Sequence, residues 1–477
     1  MKYTRLNHLS YWTMALILSS SLYTTACTED ITISQLDESN YTISNEQLGY
    51  VCDENGKRIF TQVEFHTEGN TTFYLNASQV STDNNTIQLI YDASVLEAYN
   101  ARYETAYETF PETSVTFENN GIIVLNANSK KSQGTKITYT SDGTLSPDKS
   151  YVIPLRIKVT SGNLKLNEND QTKMIFVKDL TGIPDCHKAS GIKVFSCMEV
   201  NDTNPLNNLS FTLSESGKPL IDVFIMFSAN IRFNREIGRV YVHNNENIQA
   251  LLDKREHYLK PLQDRGIKVL LGILGDHDGS GIGNLSEANA YEFAKEIKAV
   301  CDAYSLDGIF IDDEYSEYNN YNLHLTYPDG FVSPSKAAAA RLFYEIKQAQ
   351  PEKWIATYVL GFTWGFPAIN GVEAGEYVDY AIHDYGGKYD LSPYYIGMPK
   401  SNMGLYSQEF NIQKGIAGEH ELRDMRANGY GSHMIFAMDP NRNNFETVQL
   451  PAMQRVARAF YDEELVFDGI KYPKDWK

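Results

Sequence analysis

Leu306-Asp307-Gly308-Ile309-Phe310-Ile311-Asp312-Asp313-Glu314-Tyr315 is the stretch on which the fold turns. An apolar run ends abruptly in three consecutive carboxylates. Read as a β-strand over Asp307–Asp313, its side chains alternate between two faces. Ile309, Ile311 and Asp313 then point one way, and Phe310, Asp312 and Glu314 the other. Asp312 and Glu314 become same-face neighbours at the carboxyl end of a buried strand. Two carboxylates held close together do not both ionise easily, so one is driven toward its protonated form. A protonated carboxyl beside an ionised one is equipment for acid-assisted bond cleavage. The same letters also describe a strand running into a solvated acidic loop. The surrounding chain decides between these readings.

Outward from that strand, the chain from Gly191 to its end alternates apolar strands with amphipathic helices. Ile192–Glu199, Asp222–Phe227, Lys268–Leu274, Asp307–Asp313, Trp354–Leu360, Tyr377–His383 and His433–Met438 read as strands, with Met403–Ser407 as a weak eighth. Between them, Ala290, Phe293, Ile297, Val300 and Tyr304 recur at helical spacing, and Ser335–Gln350 and Thr447–Tyr461 behave alike. Repeating β-α units over this length predict an α/β fold, a (β/α)8 TIM barrel spanning 191–477. Catalytic groups of that fold sit at the carboxyl ends of strands, where Asp312 and Glu314 stand, facing the barrel interior.

Residues 27–180 have a different texture. Short strand-like runs such as Thr71–Leu75, Thr86–Tyr91, Gly121–Leu125 and Tyr151–Ile157 recur between polar turns, which predicts an all-β, sandwich-like domain. Ser94–Phe110 interrupts it as a short helix or a long polar loop. A connector at 181–190, with Gly182 and Pro184, leads to the barrel.

The net charge of −19 and isoelectric point near 5.0 exclude a nucleic-acid binder, which needs clustered Lys and Arg. They fit a neutral substrate without identifying one. The N-terminus has the form of an export leader over 1–26. Lys2 and Arg5 precede Met14–Leu18, which is too short to span a bilayer. Thr25-Ala26-Cys27 resembles the end of a bacterial lipobox, with Thr24 where Leu is usual. The resemblance implies cleavage before Cys27, lipidation of its thiol and anchorage in an outer membrane, with Thr28-Glu29-Asp30 resembling a surface-export tag. An ordinary leader with an incidental cysteine is the other reading. Cys52, Cys186, Cys197 and Cys301 match no zinc spacing. Cys197 and Cys301 read as small buried residues.

Beyond these patterns, the barrel half resembles the glycoside hydrolase family 18 endo-β-N-acetylglucosaminidases of the endoglycosidase H type, from about Lys193 to Asp462. Asp307-Gly308-Ile309-Phe310-Ile311-Asp312-Asp313-Glu314-Tyr315-Ser316-Glu317-Tyr318 carries the likeness. Glu199-Val200-Asn201, Phe227–Ile231 and Gly266–His277 support it. The resemblance implies that Glu314 is the general acid. It implies that Asp312 orients the 2-acetamido group of the substrate, whose oxygen attacks the anomeric carbon with retention of configuration. A tethered nucleophile of this kind reaches effective molarities of about 10⁵–10⁸ M. A tyrosine is expected to bond the acetamide carbonyl, Tyr385 or else Tyr358. Glu199, Asn230, Asp276, His277 and Asp439 lie at expected strand ends and are candidate sugar contacts. No metal or cofactor is needed. One departure stands out: Phe310 occupies the place of an inner Asp found in many members. The implied partner is the N-glycan of a glycoprotein, cut between its two core GlcNAc residues, mainly in oligomannose types. Phe436-Ala437-Met438-Asp439 lacks the tryptophan that chitinases place on the last strand. A chitinase and a non-catalytic glycan-binding surface lipoprotein are the alternatives.

Overall fold

In a computed structural model, residues 47–318, 330–385 and 387–477 are described. The chain from Gln47 onward is one compact unit. The leader and Cys27 lie outside the described residues. Eight parallel strands form the barrel: β1 (Lys193–Glu199), β2 (Val223–Asn234), β3 (Lys268–Leu274), β4 (Gly308–Ile311), β5 (Trp354–Val359), β6 (Tyr380–His383), β7 (Met403–Glu409) and β8 (Ser432–Phe436). Each pairs with its neighbour, and β1 pairs with both β8 and β2, which closes the ring. The weak eighth strand is real and is β7. A ninth strand, Arg239–His243, turns back antiparallel on the long end of β2, an element for which the sequence offered no expectation.

The alternation expected around β4 holds. Ile309 and Ile311 join the core between strands and helices. Phe310 points into the lumen with Phe195, Cys197, Ile225, Leu270, Tyr358 and Met434. β4 is shorter than expected and ends at Ile311, so the carboxylates begin one residue past it. Gly308 is required where it stands, because a Cβ there would lie 2.0 Å from the Trp354 carbonyl oxygen on β5. Two helices outside the ring begin at serine caps. Ser286 caps Glu287–Ala303, which buries Ala290, Phe293, Ala294, Ile297 and Cys301, and Ser335 caps Lys336–Ala349.

The N-terminal layer is a two-sheet sandwich. One sheet orders Lys165–Leu166, Leu48–Asp53, Glu68–Ala77, Thr135–Thr140 and Val115–Phe117. The other orders Phe60–Phe65, Thr172–Asp179, Tyr151–Ser161, Asn85–Tyr91 and Ile122–Leu125. Phe73, Leu75 and Ile137 of the first sheet meet Ile87, Ile153, Leu155 and Ile175 of the second. The interruption expected over Ser94–Phe110 contains a helix, Ala93–Tyr103, capped by Asp92.

The sandwich docks on the floor of the barrel, where the strands begin. Glu64 and Lys178 are cross-strand partners. Lys178 pairs with Asp307 just before β4 at 3.2 Å, and Glu64 pairs with Lys268 at the start of β3. The Arg58 N–H donates to both oxygens of Glu376 at 2.7 and 2.9 Å, Gln62 Nε2 to the Lys353 carbonyl at 2.9 Å, and the Tyr99 hydroxyl to the Gln348 carbonyl at 2.7 Å. Asp307 is buried. Although burial opposes its charge, Lys178, Lys268, Gln263 and the Val269 N–H hold its pKa well below the usual range. The floor of such a barrel is the end that serves stability, which leaves the opposite mouth for chemistry.

Candidate active site

At the mouth, Asp312 keeps one ladder bond past the end of β4, its N–H donating to Ile273 O at 3.0 Å. Its side chain faces the lumen and is 4% exposed. Among the described residues its Oδ1 has no hydrogen-bond partner. Burial first, then the charges of Glu314, Asp313 and Asp384, push its pKa well above the ordinary value. Asp313 turns the other way, as alternation requires. It accepts from the Tyr318 hydroxyl at 2.8 Å and from the Phe362 N–H at 2.6 Å, and so orders the loop after β5. Glu314 is half-buried, and burial followed by Asp384 and Asp313 raises its pKa too.

The backbone carrying Glu314 is pinned to the end of β3. The Gly275 N–H donates to Glu314 O at 3.0 Å, and the His277 N–H to Tyr315 O at 2.8 Å. Asp312 and Glu314 line a cavity of about 290 Å³ with Glu199, Asn201, Phe227, Ser228, Leu274, Tyr315, Tyr358, Leu360, Asp384, Tyr385 and Phe436. It opens at the carboxyl ends of β1, β3, β4, β5, β6 and β8 and midway along β2.

The two tyrosine candidates separate here. Tyr358 lines the cavity from a deeply buried position, its ring 5.1 Å from Phe310, and its hydroxyl donates to Ser407 Oγ at 3.1 Å. Tyr385 stands at the wall. Burial and the nearby Glu314, Glu409 and Asp312 push its pKa up to about 12, so it is a neutral donor at any physiological pH. Glu199 also reaches the cavity, its pKa raised by burial.

Four expected sugar contacts do not line this cavity. Asn230 Nδ2 donates to Gly275 O at 2.9 Å and braces the end of β3. Asp276 is ion-paired to Arg232. His277 takes a left-handed backbone, φ 56°, and sets its ring 5.1 Å from Tyr315. Asp439 accepts from the Asn441 N–H at 2.9 Å and orders the turn after β8. Polar residues at strand ends also hold loops together, and strand position alone does not distinguish the two uses.

Asp384 was missed as a member of the site. It follows β6 as Asp312 follows β4, a polar residue ending an apolar strand, and that signal was available. Asn201 and Tyr315 lie in the segments that carry the family resemblance but were not singled out as site residues. Among the described residues no group of His, Cys, Asp and Glu side chains could hold a metal ion.

Comparison with known proteins fits this geometry. A family model for an N-terminal domain matches residues 43–164. The chain is 57% identical over 288 residues to endo-beta-N-acetylglucosaminidase F1 of Elizabethkingia meningoseptica, which covers 60% of this chain and 83% of that protein. It is 32% identical over 248 residues to an endo-beta-N-acetylglucosaminidase of a Flavobacterium species, covering 52% and 75%. The crystal structure of EndoBT-3987 of Bacteroides thetaiotamicron with a Man5GlcNAc product superposes with a TM-score of 0.82 at 36% identity, over 90% of this chain and 98% of that one. The same enzyme with its Man9GlcNAc2Asn substrate gives 0.76 at 33% identity over the same shares. With this identity spread over most of each relative's length, the chain belongs to the endo-β-N-acetylglucosaminidase family.

Proposed function

We propose that the protein hydrolyses the β-1,4 bond between the two core GlcNAc residues of oligomannose N-glycans, by the substrate-assisted, retaining route of glycoside hydrolase family 18. The observation that carries this reading is Asp312 Oδ1, a buried carboxylate oxygen with no partner among the described residues, at a cavity wall shared with Glu314. A buried polar atom left unpaired costs stability, and the N–H of a substrate acetamide is a donor that would satisfy it. The glycans bound by EndoBT-3987 support the oligomannose assignment.

The chemistry follows from one proton shared by a coupled pair. With Asp312 ionised, Glu314 holds the proton and gives it to the glycosidic oxygen as the C1–O bond breaks. The acetamide oxygen bonds to C1 and forms an oxazolinium ion. Its positive N–H lies against Asp312, and this opposite charge reverses the penalty that burial places on the Asp312 anion. Tyr385, placed at the wall, would orient the acetamide group. Water then adds to C1 as the bond from C1 to the acetamide oxygen breaks, and loses its proton to Glu314, which restores the acetamide and leaves the β-configuration intact. Phe310 places an aromatic ring on the lumen side where a deeper carboxylate would stand, and besides burial the charges that raise the Asp312 pKa are those of Glu314, Asp313 and Asp384.

The test is digestion of an oligomannose glycopeptide, with mass analysis of both products. A single GlcNAc left on Asn and a released glycan of β-configuration are expected. Glu314→Gln should lower turnover at least about 10²-fold with affinity retained, and Asp312→Asn should also cripple it. A thiazoline mimic of the cyclised sugar should inhibit. Near-normal turnover by Glu314→Gln would remove its assignment, and no inhibition by the thiazoline would remove substrate assistance. A second part of the proposal is that Cys27 is acylated and anchors the enzyme at the outer-membrane surface; the leader pattern supports it.

A further inference from the structure

Beside the cavity, the loops after β5 and β6 carry a feature that the acid–base machinery does not use. Trp364, Tyr389 and Tyr394 stand together. The Trp364 ring centroid is 5.9 Å from that of Tyr389 and 5.6 Å from that of Tyr394, edge to face in both cases. Tyr389 is 58% exposed and Tyr394 41%, while Trp364 is half-buried behind them. Aromatic side chains contribute large apolar areas when covered. Adjacent rings left open to solvent mark a surface built for a partner.

The two loops of the shelf are braced against each other and adjoin the active site. The Tyr395 hydroxyl donates to the Thr363 carbonyl at 2.5 Å and the Phe366 N–H to the Tyr394 carbonyl at 3.1 Å, which stitches the two loops together. Beneath them His383 is buried, its ring 5.0 Å from that of Trp364 and 5.3 Å from that of Tyr389. The next two residues, Asp384 and Tyr385, line the cavity, and Leu360 lines it from the other loop. A ligand leaving the cavity between β5 and β6 therefore meets these rings.

We propose that Tyr389 and Tyr394, backed by Trp364, form a stacking subsite for a neutral hexose beyond the trimannosyl core, an outer mannose of one branch. The inference rests on the reading of the cavity as the site for that core. A pyranose ring presents an apolar C–H face and a hydroxyl rim. An exposed phenol ring covers the face by dispersion, and its hydroxyl meets the rim. None of the three rings carries a charge, so the shelf suits a neutral sugar. Its loops are already braced, so little ordering is lost on binding.

The test compares kcat/KM on Man9GlcNAc2-Asn and on the trimmed Man3GlcNAc2-Asn core for Tyr389→Ala, Tyr394→Ala and the double variant. The expected result is a loss of about tenfold per ring on the large glycan, mostly in KM, with the trimmed core within about twofold of wild type. Tyr389→Phe and Tyr394→Phe should keep most of the activity. Equal losses on both substrates, or no loss on either, overturn the proposal. A loss that follows peptide length at constant glycan overturns it as well, and assigns the shelf to the polypeptide. Failure of the wild type to cut either N-glycan would instead sink the reading of the core site. In that event quenching of tryptophan fluorescence by Man9GlcNAc, abolished in Trp364→Phe, still supports the shelf, and absence of quenching still refutes it.

Discussion

Gly275→Ala should disable the enzyme without touching a reacting group. Residues 314–316 pass directly over Gly275. A Cβ there would stand 2.4 Å from Glu314 O, 2.5 Å from Ser316 N and 2.6 Å from Ser316 Oγ. Ordinary contact begins at 3.4 Å, so 3.4 − 2.4 = 1.0 Å of separation must be found. The two sides do not yield equally. Gly275 is fixed to the end of β3, and its carbonyl is held by Asn230 Nδ2 at 2.9 Å. The facing segment includes Tyr315, which is 54% exposed, so it moves and carries Glu314 with it. A misplacement of about 1 Å costs on the order of 10²-fold in rate. Overpacking of this kind costs about 1–3 kcal/mol of stability, and the variant should still fold. The assay is kcat and KM on an oligomannose glycopeptide, with thermal denaturation of the same samples. The expected outcome is kcat down about 10²-fold with KM little changed. A folded variant with kcat within threefold of wild type would refute the claim that the β3 end positions Glu314.

Further outcomes follow from the same geometry. Asp384 raises the pKa of Glu314, and the proposed acid role requires Glu314 protonated, so activity should fall as pH rises through that raised value; Asp384→Asn should move the alkaline limb of the kcat profile to lower pH. An unmoved limb would mean that Asp384 does not act on Glu314. Asp307 is a carboxylate held low, so its contribution is fully present above its ordinary pKa of 3.8 and is lost as pH falls below that. Lys178→Met should remove at least about 2 kcal/mol of stability at neutral pH, less than the ~3–5 kcal/mol of an orphaned buried charge because Lys268 and Gln263 remain. Denaturant unfolding should show this loss shrinking in acid, and a loss independent of pH would refute it. Cys27→Ala should move the protein from the membrane to the soluble fraction, and unchanged fractionation would exclude lipidation.

What was legible in the sequence follows from the range of the forces involved. The strand Gly308–Ile311 could be read because alternation is local, and it sorted Phe310 and Asp312 to the lumen and Ile309 to the helices. β7 was faint because its residues Ser407, Gln408 and Glu409 are polar yet buried, which breaks the apolar signature of a barrel strand. The strand Arg239–His243 followed no β-α rhythm and was not anticipated. Of the site, Asp312 and Glu314 were readable from spacing, and Tyr385 from the resemblance. Asn230, Asp276, His277 and Asp439 share that strand-end position, but their partners are set by tertiary contacts that no local pattern records. The same is true of the floor contacts, such as Arg58 with Glu376, which join positions far apart in the chain.

That floor also bears on how the chain acquires its shape. The sandwich is complete once Thr172–Asp179 pairs beside Phe60–Phe65, before β1 has been synthesised. Domains form in order from the N-terminus as the chain is made. A closed barrel must wait for β8 to reach β1, a pairing of high sequence separation and therefore slow. In the interval the nascent strands have exposed edges. The finished sandwich already displays Glu64 and Lys178 side by side, and the growing chain delivers their counter-charges in turn, Lys268 with β3 and Asp307 with β4. The N-terminal domain thus offers β3 and β4 matching charges before the last strand arrives.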